Sequence, residues 1–224
     1  MDINFGGIGK KHSLAGLQRI CSAQETVARI IPIKHKFGIT RVANVTGLDS
    51  IGLPVVIAIR PNARSIAVSQ GKGVTLEQAK ASAIMEAVEI WHAEHFDKLV
   101  YFASIADLSG RHIFVNFDRI PELPGRALKQ TERLHWVDAF ELISEREILV
   151  PLEMVHADYT HPLPPDTGYF PASSNGLASG NHMLEAVCHG ICEVIERDSL
   201  AVWHHASIDH QRASRLALET VDDV

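Results

Sequence analysis

Two short segments carry acidic side chains at a spacing that suits metal chemistry. One reads Ser82-Ala-Ile-Met-Glu86-Ala-Val-Glu89, and the other Glu185-Ala-Val-Cys-His189-Gly-Ile-Cys-Glu193-Val-Ile-Glu196-Arg197. At about 100° per helical residue, Ser82, Glu86 and Glu89 fall within roughly 60° of one another, and Glu185, His189, Glu193 and Glu196 within roughly 80°. Their neighbours are Ala, Ile, Val and Met. Carboxylates at i and i+3 repel, and carboxylates set among apolar residues cannot stay ionised and buried without a counter-charge. Divalent cations meet both demands. Two such helices facing each other would present Glu86, Glu89, Glu193 and Glu196. Four carboxylates are more than one Mg²⁺ usually takes from protein, and suit two or more ions bridging a polyphosphate. A single Glu-x-x-Glu reads more simply as a solvated helix face; its repetition is what favours the metal reading.

The two segments belong to an internal repeat. At an offset of 107 residues Gly73 falls on Gly180, Ala79 on Ala186, Ile84 on Ile191, Glu86 on Glu193 and Glu89 on Glu196. Leu76 with Met183, Ala83 with Gly190 and Val88 with Ile195 are similar pairs. Two pseudo-equivalent halves facing each other are expected. Each helix follows a glycine-bearing loop, Ser69-Gln70-Gly71-Lys72-Gly73 before the first and SSNGLASGN before the second. Backbone N–H groups at a helix N-terminus favour phosphate, and Lys72 adds a positive charge. The first loop lacks the spacing of a Walker A sequence. Asn175 and Asn181 could donate hydrogen bonds to a ligand or serve as turn and N-cap residues.

The positioning elements can be read around these segments. GITRVANVTGL and LPVVIAIRP, rich in Val and Ile, predict two strands from Ile39 onward, and residues 65–69 a third, ending in a Gly-Lys-Gly turn. Thr75-Leu-Glu-Gln78 fits a capping box and opens a helix running to about Phe96. HWVDAFEL and REILVPLEMV read as further strands, HPLPPDTGYFP as a loop, and about Asn181 to His204 as the second long helix. The expected architecture is α/β (α+β), with mixed or antiparallel sheets and two long Glu-bearing helices. Residues 1–38 form an N-terminal segment with an amphipathic stretch around Leu14 to Ile31. A domain spans 39–210, with pseudo-repeat halves near 39–100 and 145–205, and 211–224 is a polar end.

Composition narrows the function classes. With 46% hydrophobic and 21% charged residues the 224-residue chain can bury a core, which excludes disorder over most of its length. A net charge of −6 provides no footprint for nucleic acid or an anionic membrane. No apolar run reaches the ~18 residues of a membrane span, and MDINFGGIGKKHSLAG lacks the apolar core of a signal peptide. With only Cys21, Cys188 and Cys192, a reduced, cytoplasmic protein is expected. Cys192, aligned with Met85, is expected in the core, and His204, His205 and His210 on the surface. No Ser-His-Asp or Cys-His nucleophile arrangement can be assembled, so no catalytic residue is assigned.

TRVANVTGLDSIGLPVVIAIRPNARSIAVSQGKG followed by ASAIMEAVE resembles the N-terminal half of the YcaO family, and SSNGLASGN with EAVCHGICEVIERD resembles its second signature. The resemblance runs from about Ile39 to Asp198, and RPNARSIAVSQGKG is most similar to the branch that works with a TfuA partner. It implies an ATP-dependent enzyme that phosphorylates a peptide backbone amide oxygen. A Cys, Ser or Thr side chain then gives an azoline, or external sulfide gives a thioamide, the product linked to the TfuA branch. It also implies ATP and Mg²⁺ as cofactors, a peptide or protein substrate and a TfuA-like partner, and a homodimer is compatible with it. Carried over by position, Glu86, Glu89, Glu193 and Glu196 are implied for Mg²⁺, and Glu185 for metal or ribose. Arg197 and Asn181 are implied for phosphate, and Ser82, Lys72 and Arg41 for the nucleotide site. The chain departs from the family in length, since family members run well past this point and supply further basic nucleotide contacts and a Pro-rich tail. Two other readings stand beside it. One is a non-catalytic or incomplete binding subunit. The other is a carboxylate-bridged metalloenzyme built on Glu89-Ile-Trp-His92, for which the second half offers Ser199 where His92 would repeat.

Overall fold

Val55–Ile59 is an almost continuous apolar run, and it forms the middle strand of a three-stranded antiparallel sheet. In the computed structural model, which describes residues 11–217 apart from 15, 16, 97 and 99, this strand is β4. It pairs with β3 (Arg41–Asn44) on one side and β5 (Val68–Lys72) on the other. A short hairpin, β1 (His12–Leu14) and β2 (Leu17–Arg19), leads into α1 (Ala23–Ile30), which opens with a Ser22/Glu25 capping box. Helix α2 (Leu76–Glu94) lies across the sheet and begins at the Thr75/Gln78 capping box the sequence predicts.

Small residues bring α2 close. Ala79, Ala83, Ile84 and Ala87 are fully buried against Val56 and Ala58, and Val27 of α1 joins the same cluster. Helix α1 is therefore packed into the same core as the first sheet and α2. Gly71 makes the closest crossing: a Cβ there would stand 2.1 Å from the Ala79 carbonyl oxygen and 2.2 Å from the Ala83 nitrogen. This is why the third strand lies later than its β-branched residues indicate. Residues 65–69 were expected to form it and 71–73 a turn, but the strand runs Val68–Lys72, with Gly71 opposite Val56 and Lys72 opposite Val55. Gly71 serves close packing, which residue type alone does not distinguish from a turn.

The far end of α2 is fixed by a buried ion pair. Arg60, just past β4, donates to both carboxylate oxygens of Glu94 at 2.6 Å and to the Ala87 carbonyl at 3.0 Å. Glu94 also accepts from the Ser65 N–H and hydroxyl, which ties the β4–β5 loop to the helix. Both charges are almost wholly excluded from water, so their partners must be present together.

A second antiparallel sheet follows, of order β6 (Val100–Ser104), β7 (Arg133–Glu141) and β8 (Arg146–Pro151). The short α3 (Ile105–Leu108) follows β6. This sheet has its own core around Trp136, Leu134, Leu149 and Phe170. Glu153 accepts from the N–H groups of Gly168, Tyr169 and Phe170 and pins the Pro-rich loop to it. Helix α4 (Met183–His205) and the short α5 (Ile208–Ala213) complete the described chain. β7 and β8 belong to the sheet of β6 rather than to a sheet under α4. Cys192 was expected in the core but is exposed on α4. No helix among the described residues is long and apolar enough to cross a membrane.

Replacing Glu94 by Ala strands the Arg60 guanidinium in the core. The expected loss is about 3–5 kcal/mol of unfolding free energy, measured as a fall in the urea midpoint at unchanged slope.

Candidate nucleotide site

The acidic faces of α2 and α4 meet at one cavity of about 780 Å³, within the usual range for a small-molecule site. Glu86, Glu89 and Ser82 line it from α2, and Glu185, His189 and Glu193 from α4. Lys72 and Gly73 reach it from the end of β5, Asn181 from the loop before α4, and Arg19, Gln24 and Thr26 from the β2–α1 segment. The sequence reading set that N-terminal segment apart from the site. Its Ser22-Ala-Gln-Glu25 capping box at the head of an amphipathic stretch was the available signal.

Each carboxylate has a distinct environment. Glu86 accepts from the Gln70 N–H at 2.9 Å, and burial still raises its pKa. Glu89 is pushed up to about 7, chiefly by burial and further by the charges of Glu193 and Glu86, against the lowering effect of hydrogen bonds from Ser179. Glu193 forms an ion pair with Arg197 one turn on, at 2.5 Å. Arg197 also donates to the Asn175 side chain. Glu185 is 3% exposed and accepts from the Ile20 N–H at 2.9 Å and from Arg19 at 3.4 Å. Asn181 donates to the Thr26 hydroxyl at 2.9 Å, and the N-cap of α4 is His182. Glu185 and Asn181 therefore join α4 to the β2–α1 segment.

Three of the expected site residues, Arg41, Glu196 and Arg197, lie outside the lining of this cavity. Arg41 does not line the cavity, because the order β3-β4-β5 puts its strand at the opposite edge from Lys72. Glu196 and Arg197 are not in the lining either, since they lie beyond Glu193, at the end of the stretch of α4 that reaches the cavity. The 69–72 stretch of the first glycine loop is paired strand, so it forms no phosphate-cradling turn. His92 packs its ring against Phe37 and Trp91 rather than beside a second carboxylate set.

The donor set fits Mg²⁺ carried by a polyphosphate. Among the described residues no three His, Cys, Asp or Glu side chains converge tightly enough to hold an ion alone. Partly buried Glu86 and Glu89 nevertheless line, with Glu193, a space large enough for a nucleotide, and a cation there would offset the burial and the lesser carboxylate repulsion that raise Glu89.

Comparison with known proteins decides the family. The family profile described as YcaO cyclodehydratase, ATP- and Mg²⁺-binding, matches residues 70–223. The chain belongs to the YcaO family. A Rhizobium leguminosarum bv. trifolii relative, an uncharacterized protein in the tfuA 3′ region, is 35% identical over 211 residues, which are 92% of this chain and 49% of the relative. The chain spans about half the length of the curated relatives it matches. The solved structure of YcaO from Methanopyrus kandleri bound with AMPPCP and Mg²⁺ is 27% identical with a TM-score of 0.64, and the match covers 84% of this chain and 46% of that one. A heterocyclase in complex with substrate and cofactor, 23% identical with a TM-score of 0.67, covers 83% of this chain and 29% of that chain and shares the fold. The YcaO fold in this chain is thus two antiparallel sheets with the acid-bearing helices α2 and α4 around one cavity.

The raised Glu89 gives a pH test. An acid whose folded-state pKa lies above its ordinary value holds its proton more tightly in the folded chain, so ionising it opposes folding. That penalty is absent below its ordinary value of 4.5 and builds as pH rises to about 7. The metal-free chain should therefore lose stability across this window. Glu89→Gln should flatten that limb of a plot of urea midpoint against pH.

Proposed function

We propose that this chain binds Mg·ATP in the cavity between α2 and α4 and activates a backbone amide of a peptide or protein substrate. The observation that carries the reading is the opposition of Glu86 and Glu89 to Glu193 across one cavity, with burial raising the pKa of both α2 carboxylates despite their hydrogen bonds. When bound, Mg·ATP supplies the γ-phosphoryl group: the amide oxygen takes it with release of ADP, a nucleophile adds at the amide carbon, and inorganic phosphate leaves. With a Cys, Ser or Thr side chain as nucleophile the product is an azoline, and with sulfide it is a thioamide.

The residues divide the work. Glu86, Glu89 and Glu193 hold Mg²⁺ and so orient the triphosphate, and Glu196, on the same face of α4, extends this set past the cavity. Lys72 offers charge to phosphate at the mouth of the strand, and Ser82 a small hydroxyl on the cavity wall. Arg197 turns to phosphate by exchanging its contact with Asn175. Glu185 and Asn181 hold the β2–α1 segment as a wall of the site and so exclude water from one side. Catalysis of this kind is positioning and charge neutralisation, with little covalent work for the protein.

A TfuA-like partner and a cytoplasmic setting fit the tfuA-region name of the Rhizobium relative and the absence of membrane-spanning helices among the described residues. The favoured product is then the thioamide. A non-catalytic binding subunit is the second reading, favoured by the engagement of Arg197 with Glu193 and Asn175.

Calorimetric titration of ATP with and without Mg²⁺ tests the proposal. Binding should require Mg²⁺ and weaken by roughly tenfold or more, about 1.4 kcal/mol, in Glu89→Gln and in Glu193→Gln. Binding without phosphate release, in the presence of peptide, sulfide and TfuA-like partner, would favour the non-catalytic subunit. Absence of nucleotide binding by the folded wild-type chain would overturn both.

A further inference from the structure

Strand β5 has one edge inside its sheet and one edge open. It pairs with β4 and packs on α2, and among the described residues no strand pairs with its other edge. The register decides which backbone groups face that edge. The Arg60 N–H donates to the Ala67 carbonyl at 2.7 Å, and the Gly73 N–H to the Pro54 carbonyl at 3.3 Å. The odd-numbered residues of this stretch therefore turn their N–H and C=O groups toward β4. In an antiparallel ladder the alternate residues turn theirs the other way, so Val68, Gln70 and Lys72 present theirs to the open edge. The Gln70 N–H shows the same direction, because it leaves the sheet and donates to Glu86 at 2.9 Å. Among the described residues no hydrogen bond occupies the Gln70 carbonyl or the N–H and C=O groups of Val68 and Lys72.

This edge borders the nucleotide cavity. Gln70 and Lys72 are in the cavity lining, and the bond to Glu86 ties the edge to the carboxylates of α2. Val68 leads away from the cavity along the same edge and is 45% exposed. The open edge of β3 lies on the far side of the sheet and does not share this position. Exposed edges are usually blunted by Pro, a bulge or an inward charge. β5 has none of these: Val68-Ser-Gln-Gly-Lys72 pairs with β4 in unbroken register. Such an edge takes an extended backbone through its N–H and C=O groups and leaves side chains largely unread.

We infer that β5 holds the substrate peptide as an added strand, its backbone paired with Val68, Gln70 and Lys72. The choice of a peptide as occupant rests on the amide-activating reading above. Strand alternation supplies the positioning. Every second residue of the bound peptide pairs with β5, and the residues between turn their carbonyls away from it. A carbonyl turned outward beside Gln70 and Lys72 opens into the cavity that these two residues line. It is left unbonded by the strand pairing, as a reacting amide oxygen must be. Binding through backbone groups also suits a reaction at a backbone amide, since neither depends on one particular side chain. The three edge-facing residues span about 13 Å of strand, enough to hold a short extended segment on the entry side of the reacting amide.

Nuclear magnetic resonance of the isotope-labelled chain reads this edge amide by amide. The probe is a hexapeptide of alternating Thr and Ser, acetylated and amidated at its ends, titrated into the millimolar range with and without Mg·AMPPCP. The amide protons of Val68 and Lys72 should shift downfield as each gains a hydrogen bond. Those of Ser69 and Gly71, already bonded to β4, and of Val42 on the far strand should move little. Val68→Pro removes one edge-facing N–H and no bond to β4, and should weaken the peptide roughly fivefold, the worth of about one net hydrogen bond. Val68→Ala keeps the N–H and should bind as the wild type does. The same hexapeptide N-methylated at every amide needs no change in the protein and should cause no shift. Peptide pairing in a chain that does not bind Mg·AMPPCP would support the edge and overturn the nucleotide reading alone. The inference falls if the folded chain shows no shift at Val68 and Lys72 with or without nucleotide, or equal shifts with the N-methylated probe. It also falls if these two amides are already protected from exchange in the free chain, because a second copy or another segment would then cover the edge.

Discussion

The site depends on how closely β5 passes over α2. With Gly71 at the crossing, the strand backbone rests on Ala79 and Ala83 with no side chain between them. That contact brings the Gln70 N–H within 2.9 Å of Glu86 and delivers Lys72 to the rim of the cavity. A larger residue at 71 would lift the strand by more than a methyl group, and the wall of the site would move with it. The alanines of α2 belong to the same constraint, because a helix packs this near a sheet only on small side chains.

The buried Arg60–Glu94 pair anchors the other end of the helix. Between these two fixed points α2 has little freedom, and its acidic face is held toward α4. Glu86 and Glu89 are thereby kept partly out of water, which disfavours their ionisation, and Glu89 is raised further by the charges of Glu193 and Glu86. On the proposed reading, the cost in stability of the unliganded chain and the attraction for a metal–nucleotide complex are two sides of one electrostatic term.

Helix α4 meets the cavity differently. Glu185 is held by the N–H of Ile20, Asn181 by Thr26, and Glu193 by Arg197, so the second half reaches the site with its polar groups already engaged. The β2–α1 segment is the clamp that holds it. The first sheet covers one face of α2, whereas Ile191 and Ile195 on the face of α4 away from the cavity are exposed.

The sequence by itself determined the two acid-bearing helices, the Thr75 capping box, strands β3, β4, β7 and β8, and the acidic faces of Glu86, Glu89 and Glu193 that line one cavity. These follow from local periodicity and capping, and the family resemblance rests on the same residues. Tertiary structure alone decided the rest. That Gly71 is strand rather than turn follows from contact with a helix, which periodicity along one segment does not record. That Arg41 stands at the far edge follows from strand order, and that Glu196 falls outside the lining follows from how far along α4 the cavity extends. The engagement of Glu185 with Ile20, and of Asn181 with Thr26, joins residues more than 150 positions apart. Such contacts arise only when the chain closes on itself, because the hydrogen-bonding capacity of a side chain is local but its partner is chosen by packing.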